Sequence, residues 1–160
     1  VHEIWSGGQT GVDQAALFVG TEMGIPVGGW CPLGGLDENN KSILEKYPLK
    51  EVTGFSFEDS VAERTRRNIE DSDGTLIILP SLPMPKHITD GTLLTIDHAK
   101  EKRKPFLLVA VTESSSVITI RSWIRHHQIK ILNVAGPRES RSPGIYDQSC
   151  KLLQKLFSLE

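Results

Sequence analysis

The chain has 160 residues, 38% hydrophobic and 24% charged, with 18 Lys and Arg against 20 Asp and Glu for a net charge of -2. This is about one domain's length, expected as a single unit over residues 1–160 whose core needs neither disulfide nor structural metal. The near-even charge excludes the basic footprint of a nucleic-acid or membrane-surface binder, and no apolar run approaches the roughly 20 residues that cross a bilayer.

In chain order, "VHEIW" (1–5) reads as a short strand and is followed by the glycine-rich "SGGQTGVD". A helix then begins: Val12, Ala15, Ala16, Val19 and Met23 recur at the spacing of one amphipathic stripe. "IPVGGW" (25–30) is a second weak strand. Residues 31–54 are rich in turn formers and read as a long surface loop or flap. A helix over about 58–71 leads into "GTLIILP" (74–80), a continuous apolar run suited to a strand buried on both faces. Helices over about 90–103, 115–126 and 142–158 alternate with two more such runs, "PFLLVAV" (105–111) and "IKILNVAG" (129–136). In the last helix Ile145, Leu152, Leu153 and Leu156 face inward. Strands alternating with helices predict an α/β fold, a three-layer sandwich with a mainly parallel sheet. Cys31 and Cys150 lie far apart without CxxC or Cys/His spacing and read as free thiols of a reducing cytoplasm. The opening residues lack the pattern of a signal peptide, so a cytoplasmic protein is expected.

In a parallel α/β fold, ligands bind where strands end and helices begin. Gly7, Gly8 and Gly11 sit at such a place, and the N–H groups of a helix's first turn favour an anion, usually a phosphate. Ser6 and Thr10 offer hydroxyls beside them, and Asp13 stands at the helix start. Plain capping gives the same pattern, and the loop matches neither a Walker A loop nor GxGxxG. A second loop places Asp90, Gly91 and Thr92 at another helix start, with Thr95 one turn along. A third strand ends in Gly136-Pro137-Arg138, where an arginine can clamp a phosphate or carboxylate. One anionic ligand between these loops explains the repetition. The helix 58–71 ends in Glu70 and Asp71, with Asp73 just beyond, against its macrodipole. Arg66 and Arg67 are the local compensators; Arg64 and Asn68, one turn apart, are candidates to reach the ligand.

Together "SGGQTGVDQAAL", "GIPVGGWCPLG", "YPL", "ERTRRNIEDSDGTLII", "GTLLT" and "LNVAGPRES…PGIY" resemble the molybdenum cofactor carrier family, the circularly permuted YpsA-like branch of the SLOG superfamily, over residues 5 to 157. The resemblance implies a Rossmann-like fold, a cleft for a phosphate-bearing ligand, a homo-oligomer, and molybdoenzymes as acceptors of the cargo. The ligand in that family is taken to be the molybdenum cofactor, a phosphorylated pterin, whereas many SLOG proteins bind or process nucleotides. Gly7, Gly8, Thr10, Gly11, Asp13, Gly91, Thr92, Thr95, Asn133, Gly136 and Arg138 fall in the shared motifs. Two positions depart from the pattern. Asp90 stands where a glycine is usual, and Thr95 where related phosphoribohydrolases carry a catalytic glutamate. A threonine exchanges no proton near neutral pH.

Three function classes compete. A carrier needs donors and shape but no proton-transfer pair, and fits the motifs best. A nucleotide-processing enzyme needs a general acid or base, for which Asp13 is the local candidate, although a carboxylate at a helix start is also favoured by the macrodipole. A pure interaction module would not require three converging polar loops. His98, His126 and His127 have no metal-ligand spacing, and Cys31 before a proline reads as a small buried thiol before it reads as a ligand contact.

Overall fold

A computed structural model describes residues 1–88 and 90–158; Thr89, Leu159, Glu160 and the side chain of Asp90 lie outside the described residues. The elements run β1 (Glu3–Trp5), α1 (Val12–Glu22), β2 (Val27–Gly28), β3 (Trp30–Cys31), β4 (Lys50–Glu51), α2 (Phe57–Asp71), β5 (Gly74–Leu79), α3 (Asp90–Glu101), β6 (Phe106–Ala110), α4 (Ser116–His127), β7 (Ile131–Ala135) and α5 (Ile145–Ser158). Five strands form one sheet in the order β2-β1-β7-β5-β6, and every pairing in it is parallel. With helices on both faces this is the Rossmann-like three-layer arrangement. Among the described residues no helix is long and apolar enough to cross a membrane.

Strand β5 is buried at all six positions, as its unbroken apolar run requires. Alternation sends Leu76 and Ile78 to one face, where they join Leu132 and Val134 of β7, the α1 stripe, Ile120 of α4 and the α5 residues Leu152, Leu153 and Leu156. Ile77 and Leu79 point the other way, to Phe106, Leu108, Ile88 and Ile96. Asn133 of β7 lies on this second face too and donates from Nδ2 to Thr75 Oγ1 at 3.2 Å. The sheet is therefore polar on one side just where β7 and β5 meet.

The segment 31–54, read as a surface flap, is anchored by a small core of its own. Ile43 and Leu49 pack with Leu17 and the fully buried Cys31, and β3 pairs with β4 as a second, two-stranded parallel sheet. The weak strand expected over 25–30 divides at Gly29 (φ +123°) into β2 and β3, one in each sheet. Glycine is required there because a Cβ would lie 3.0 Å from the Ser6 backbone nitrogen.

The acidic end of α2 is compensated differently from the sequence expectation. Arg67 Nε pairs with Glu63 Oε2 at 2.9 Å, and Arg66 Nη1 lies 3.7 Å from Glu63 Oε1. Glu70 instead pairs with the buried His98 at 3.0 Å, and Asp71 accepts from Trp30 Nε1 at 3.0 Å. Asp73 accepts the N–H groups of Lys130 and Ile131 at 3.0 and 2.8 Å, tying the α2–β5 turn to the start of β7. The acids face outward to other elements, which helix spacing alone does not reveal.

Gly136 closes β7 against α1. A Cβ there would run into the carbonyl oxygen of Ile78 and lie 2.6 Å from Val12 Cγ2, while at Gly91 it would meet nothing within 4 Å. Gly136→Ala is expected to destabilise the fold by about 2–3 kcal/mol through overpacking against backbone. Gly91→Ala, in the first turn of α3, should gain up to about 1 kcal/mol. Urea denaturation of both variants checks the contrast.

Candidate functional site

The parallel crossovers bring the loops after β1, β5 and β7 to one edge of the sheet. There they enclose a cleft of about 340 Å³ on the α2/α3 side. Of the candidate residues, Gly7, Asp13, Arg64, Asn68, Gly91, Thr92, Thr95, Asn133, Gly136 and Arg138 line it. Ser6, Gly8, Thr10 and Gly11 do not, and the side chain of Asp90 lies outside the described residues.

The four residues away from the cleft build its wall. Ser6 Oγ donates to the Asp13 carbonyl at 3.0 Å and accepts from Gly8 N at 3.3 Å, so its proton is used within the fold. Thr10 Oγ1 donates to Glu38 and accepts from Glu139 N at 3.1 Å. Gly8 has φ +81°, and a Cβ there would lie 2.6 Å from Ile43 Cγ2. The position is kept small by the packed flap. Gly11 sits directly under the Pro137–Glu139 backbone.

Glu38, which sequence reasoning missed, joins these pieces. Its carboxylate accepts from Thr10 Oγ1 and from the backbone and hydroxyl of Ser140, and Arg138 Nε stands 3.7 Å away. Burial opposes its charge, yet the hydrogen bonds from Ser140 and Thr10 hold its pKa below the usual value. Gln9 adds a second tie, its Oε1 accepting from Glu38 N at 2.8 Å and Thr10 N at 3.0 Å. Gln14 Nε2 adds a third, donating to the Gly8 carbonyl and to Asp37 at 3.0 and 2.9 Å.

The anion that the glycine loop itself holds is the Asp13 side chain. Gln9 N donates to Asp13 Oδ2 at 3.2 Å, and Arg64 Nη1 lies 3.9 Å from the same oxygen while donating to the Gly7 carbonyl at 2.7 Å. Asn68, 2% exposed, accepts from Trp30 N at 2.8 Å and donates to Trp30 O at 3.1 Å, clasping β3. Thr95 Oγ1 donates one turn back to the Gly91 carbonyl at 2.8 Å. The cleft's cations among the described residues are Arg64, Arg138 and Arg141, with His87 beside them, its Nε2 donating to the Arg141 carbonyl at 3.1 Å. Phe57, Val61, Ile77 and Ile88 supply apolar wall. Arg141 recurs three residues after Arg138 in the same loop, a signal the sequence offered; Phe57 and His87 carried none. Cys31 and Cys150 are buried and free, and burial pushes both thiols up in pKa. Neither lines the cleft.

Burial pushes the Asp13 carboxyl up from 3.8 to about 6, against the pull of Arg64 and of nearby N–H groups. Folded Asp13 thus holds its proton more tightly than the unfolded chain does. Its contribution to stability is complete below about pH 4 and is lost as pH rises through 6, a change on the order of 3 kcal/mol. Asp13→Asn keeps an acceptor for Gln9 N and removes the charge. Its stability relative to wild type should therefore rise by about that amount between pH 4 and pH 7, as measured by urea denaturation across the range.

The model of the circularly permutated YpsA SLOG family matches residues 4–157. Among solved structures, the crystal structure of a "Putative molybdenum carrier protein" from Syntrophus aciditrophicus SB is similar at 37% identity and a TM-score of 0.87, covering 98% of this chain and 95% of that one. Comparison with curated proteins gave no match. The family model and the structural likeness both extend over almost the whole chain, and it belongs to the circularly permutated YpsA SLOG family.

Proposed function

We propose that this chain binds and carries a phosphate-bearing small molecule, the molybdenum cofactor, in the cleft between the β1, β5 and β7 loops. The observation that carries this reading is the convergence of Arg138 and Arg141 on a cleft that also receives the start of α3 at Gly91 and Thr92, with Arg64 held beside Asp13 on the β1 side. Guanidinium groups and a helix N-terminus are the donors that phosphate takes. Phe57, Val61 and Ile88 give a planar ring such as a pterin an apolar surface, and the volume is at the small end of the range for cofactor sites. The similarity to a protein described as a molybdenum carrier supports the choice of cargo. The same reading includes a homo-oligomer in the cytoplasm that hands its cargo to molybdoenzymes. Native mass spectrometry of protein purified from a molybdenum-replete host tests it: a released phosphorylated pterin supports the carrier, and a released nucleotide the alternative.

Sulfate or inorganic phosphate at about a hundred times its Kd should stabilise the protein by about 2.7 kcal/mol. For a chain of this size the Tm should rise by roughly 5–10 °C. Arg138→Lys keeps the charge but loses the planar fork, and the anion affinity should fall roughly tenfold. Equal thermal shifts in the two proteins would remove Arg138 from the anion site.

A nucleotide-processing enzyme is the second reading, and the observation that favours it is the Asp13 pKa of about 6, within the range of a general acid. On the carrier reading, incubation with purine and pyrimidine monophosphates releases no free base at rates near one per second. Turnover that disappears in Asp13→Asn would establish the enzyme and name its acid.

A further inference from the structure

Asp13 is an odd residue to find in a cleft for anions. Its structural task, accepting the Gln9 N–H at 3.2 Å with the Gly7 N–H also turned toward it, needs only an uncharged oxygen. The nearest cation does not hydrogen-bond to it: Arg64 Nη1 is 3.9 Å away and donates instead to the Gly7 carbonyl at 2.7 Å. A carboxylate accepts about four hydrogen bonds, so it has capacity to spare where it borders the cleft. Burial raises its pKa to about 6 against the pull of Arg64 and the Gln9 and Gly7 N–H groups, which leaves it ionised at neutral pH.

The layout of the sheet gives this charge a place relative to the arginines. Asp13 follows β1, Arg138 and Arg141 follow β7, and the start of α3 follows β5; these strands are neighbours in the order β1-β7-β5. Two strand spacings separate the outer pair, about 10 Å, the scale of a phosphate joined to a heteroaromatic ring. The negative carboxylate excludes the phosphate from the β1 end and directs it toward the β7 and β5 loops. What remains for Asp13 is the far edge of the ring, with Val61 and Ile77 along the way.

Building on the proposed phosphate site, we propose that Asp13 selects the ring: its carboxylate pairs with the adjacent ring N–H and exocyclic amino group of a 2-amino-4-oxo-pyrimidine edge. Pterins and guanine share that edge. Two parallel N–H donors meet the two carboxylate oxygens as an arginine fork does. Hypoxanthine lacks the amino group and offers one such donor. Adenine turns a ring lone pair toward the carboxylate and is repelled.

The test uses guanosine, inosine and adenosine 5′-monophosphates, which share the phosphate and differ at this edge, titrated calorimetrically into the wild-type protein at pH 7.5. The expected order is guanosine, then inosine, then adenosine monophosphate, with the guanine compound at least tenfold tighter than the adenine one. In Asp13→Asn that preference should collapse, while affinity for inorganic phosphate is kept or increased. Equal affinities for the three in wild type, all displaced by inorganic phosphate, overturn the assignment of Asp13 and leave the anion site standing. Absence of binding by all three, with no thermal shift from phosphate, overturns both. The wild-type ranking decides the question even if the variant fails to fold.

Discussion

A single carboxylate, Glu38, holds together three segments that are remote in sequence. It receives the Thr10 hydroxyl from the β1–α1 loop and the Ser140 backbone and hydroxyl from the β7–α5 loop, while itself belonging to the flap. A parallel sheet delivers the loops to one edge but does not fix how far apart they stand. Hydrogen bonds to an ionised acceptor are among the stronger polar contacts, and several share this one. The position of Arg138 follows from the same contact, since its Nε lies 3.7 Å from Glu38. The wall of the cleft is thus set by a residue that does not line it.

The two ends of the cleft differ in electrostatic character. At the β7 side Arg138 and Arg141 stand at least partly exposed, with Glu38 tempering one of them. At the β1 side the buried Asp13 keeps its charge against desolvation, and Arg64 is spent largely on a backbone carbonyl. A site of this kind is polarised before any ligand arrives, and polarity fixes orientation as well as affinity. A carboxylate at one end of the cleft and arginines at the other favour one orientation of a bound anion over the reverse.

The sheet was legible because its strands are buried on both faces, and unbroken apolar runs such as "LIIL" have few other uses. The helix stripes of α1 and α5 were legible for the related reason that one face of each must be apolar. Gly7 and Gly136 at strand ends and Gly91 at a helix start do border the cleft, so its position in the fold was legible from them. Its inner wiring was not. Whether the Ser6 or Thr10 hydroxyl faces a ligand or the fold depends on Asp13, Glu38 and Glu139, which lie up to 129 positions away in the Thr10–Glu139 bond. The acids closing α2 looked like a local problem for Arg66 and Arg67, yet they are answered by His98, Trp30 and the first residues of β7. Periodicity tells which face of a helix a residue occupies; it does not tell what that face meets.

Asn68 does more than line the cleft. By holding both backbone polar groups of Trp30 it couples the wall to an indole that lies 4.7 Å from the Arg67 guanidinium and 5.6 Å from the Lys50 ammonium, with its N–H on Asp71. The emission of an indole shifts with the charges around it, and here two cations and a carboxylate surround the ring. The Asn68 clasp ties this fluorophore directly to α2. Of the chain's three tryptophans, Trp30 is thus tied through Asn68 to the lining of the candidate cleft, and its emission reports on the charges gathered at the outer side of that wall.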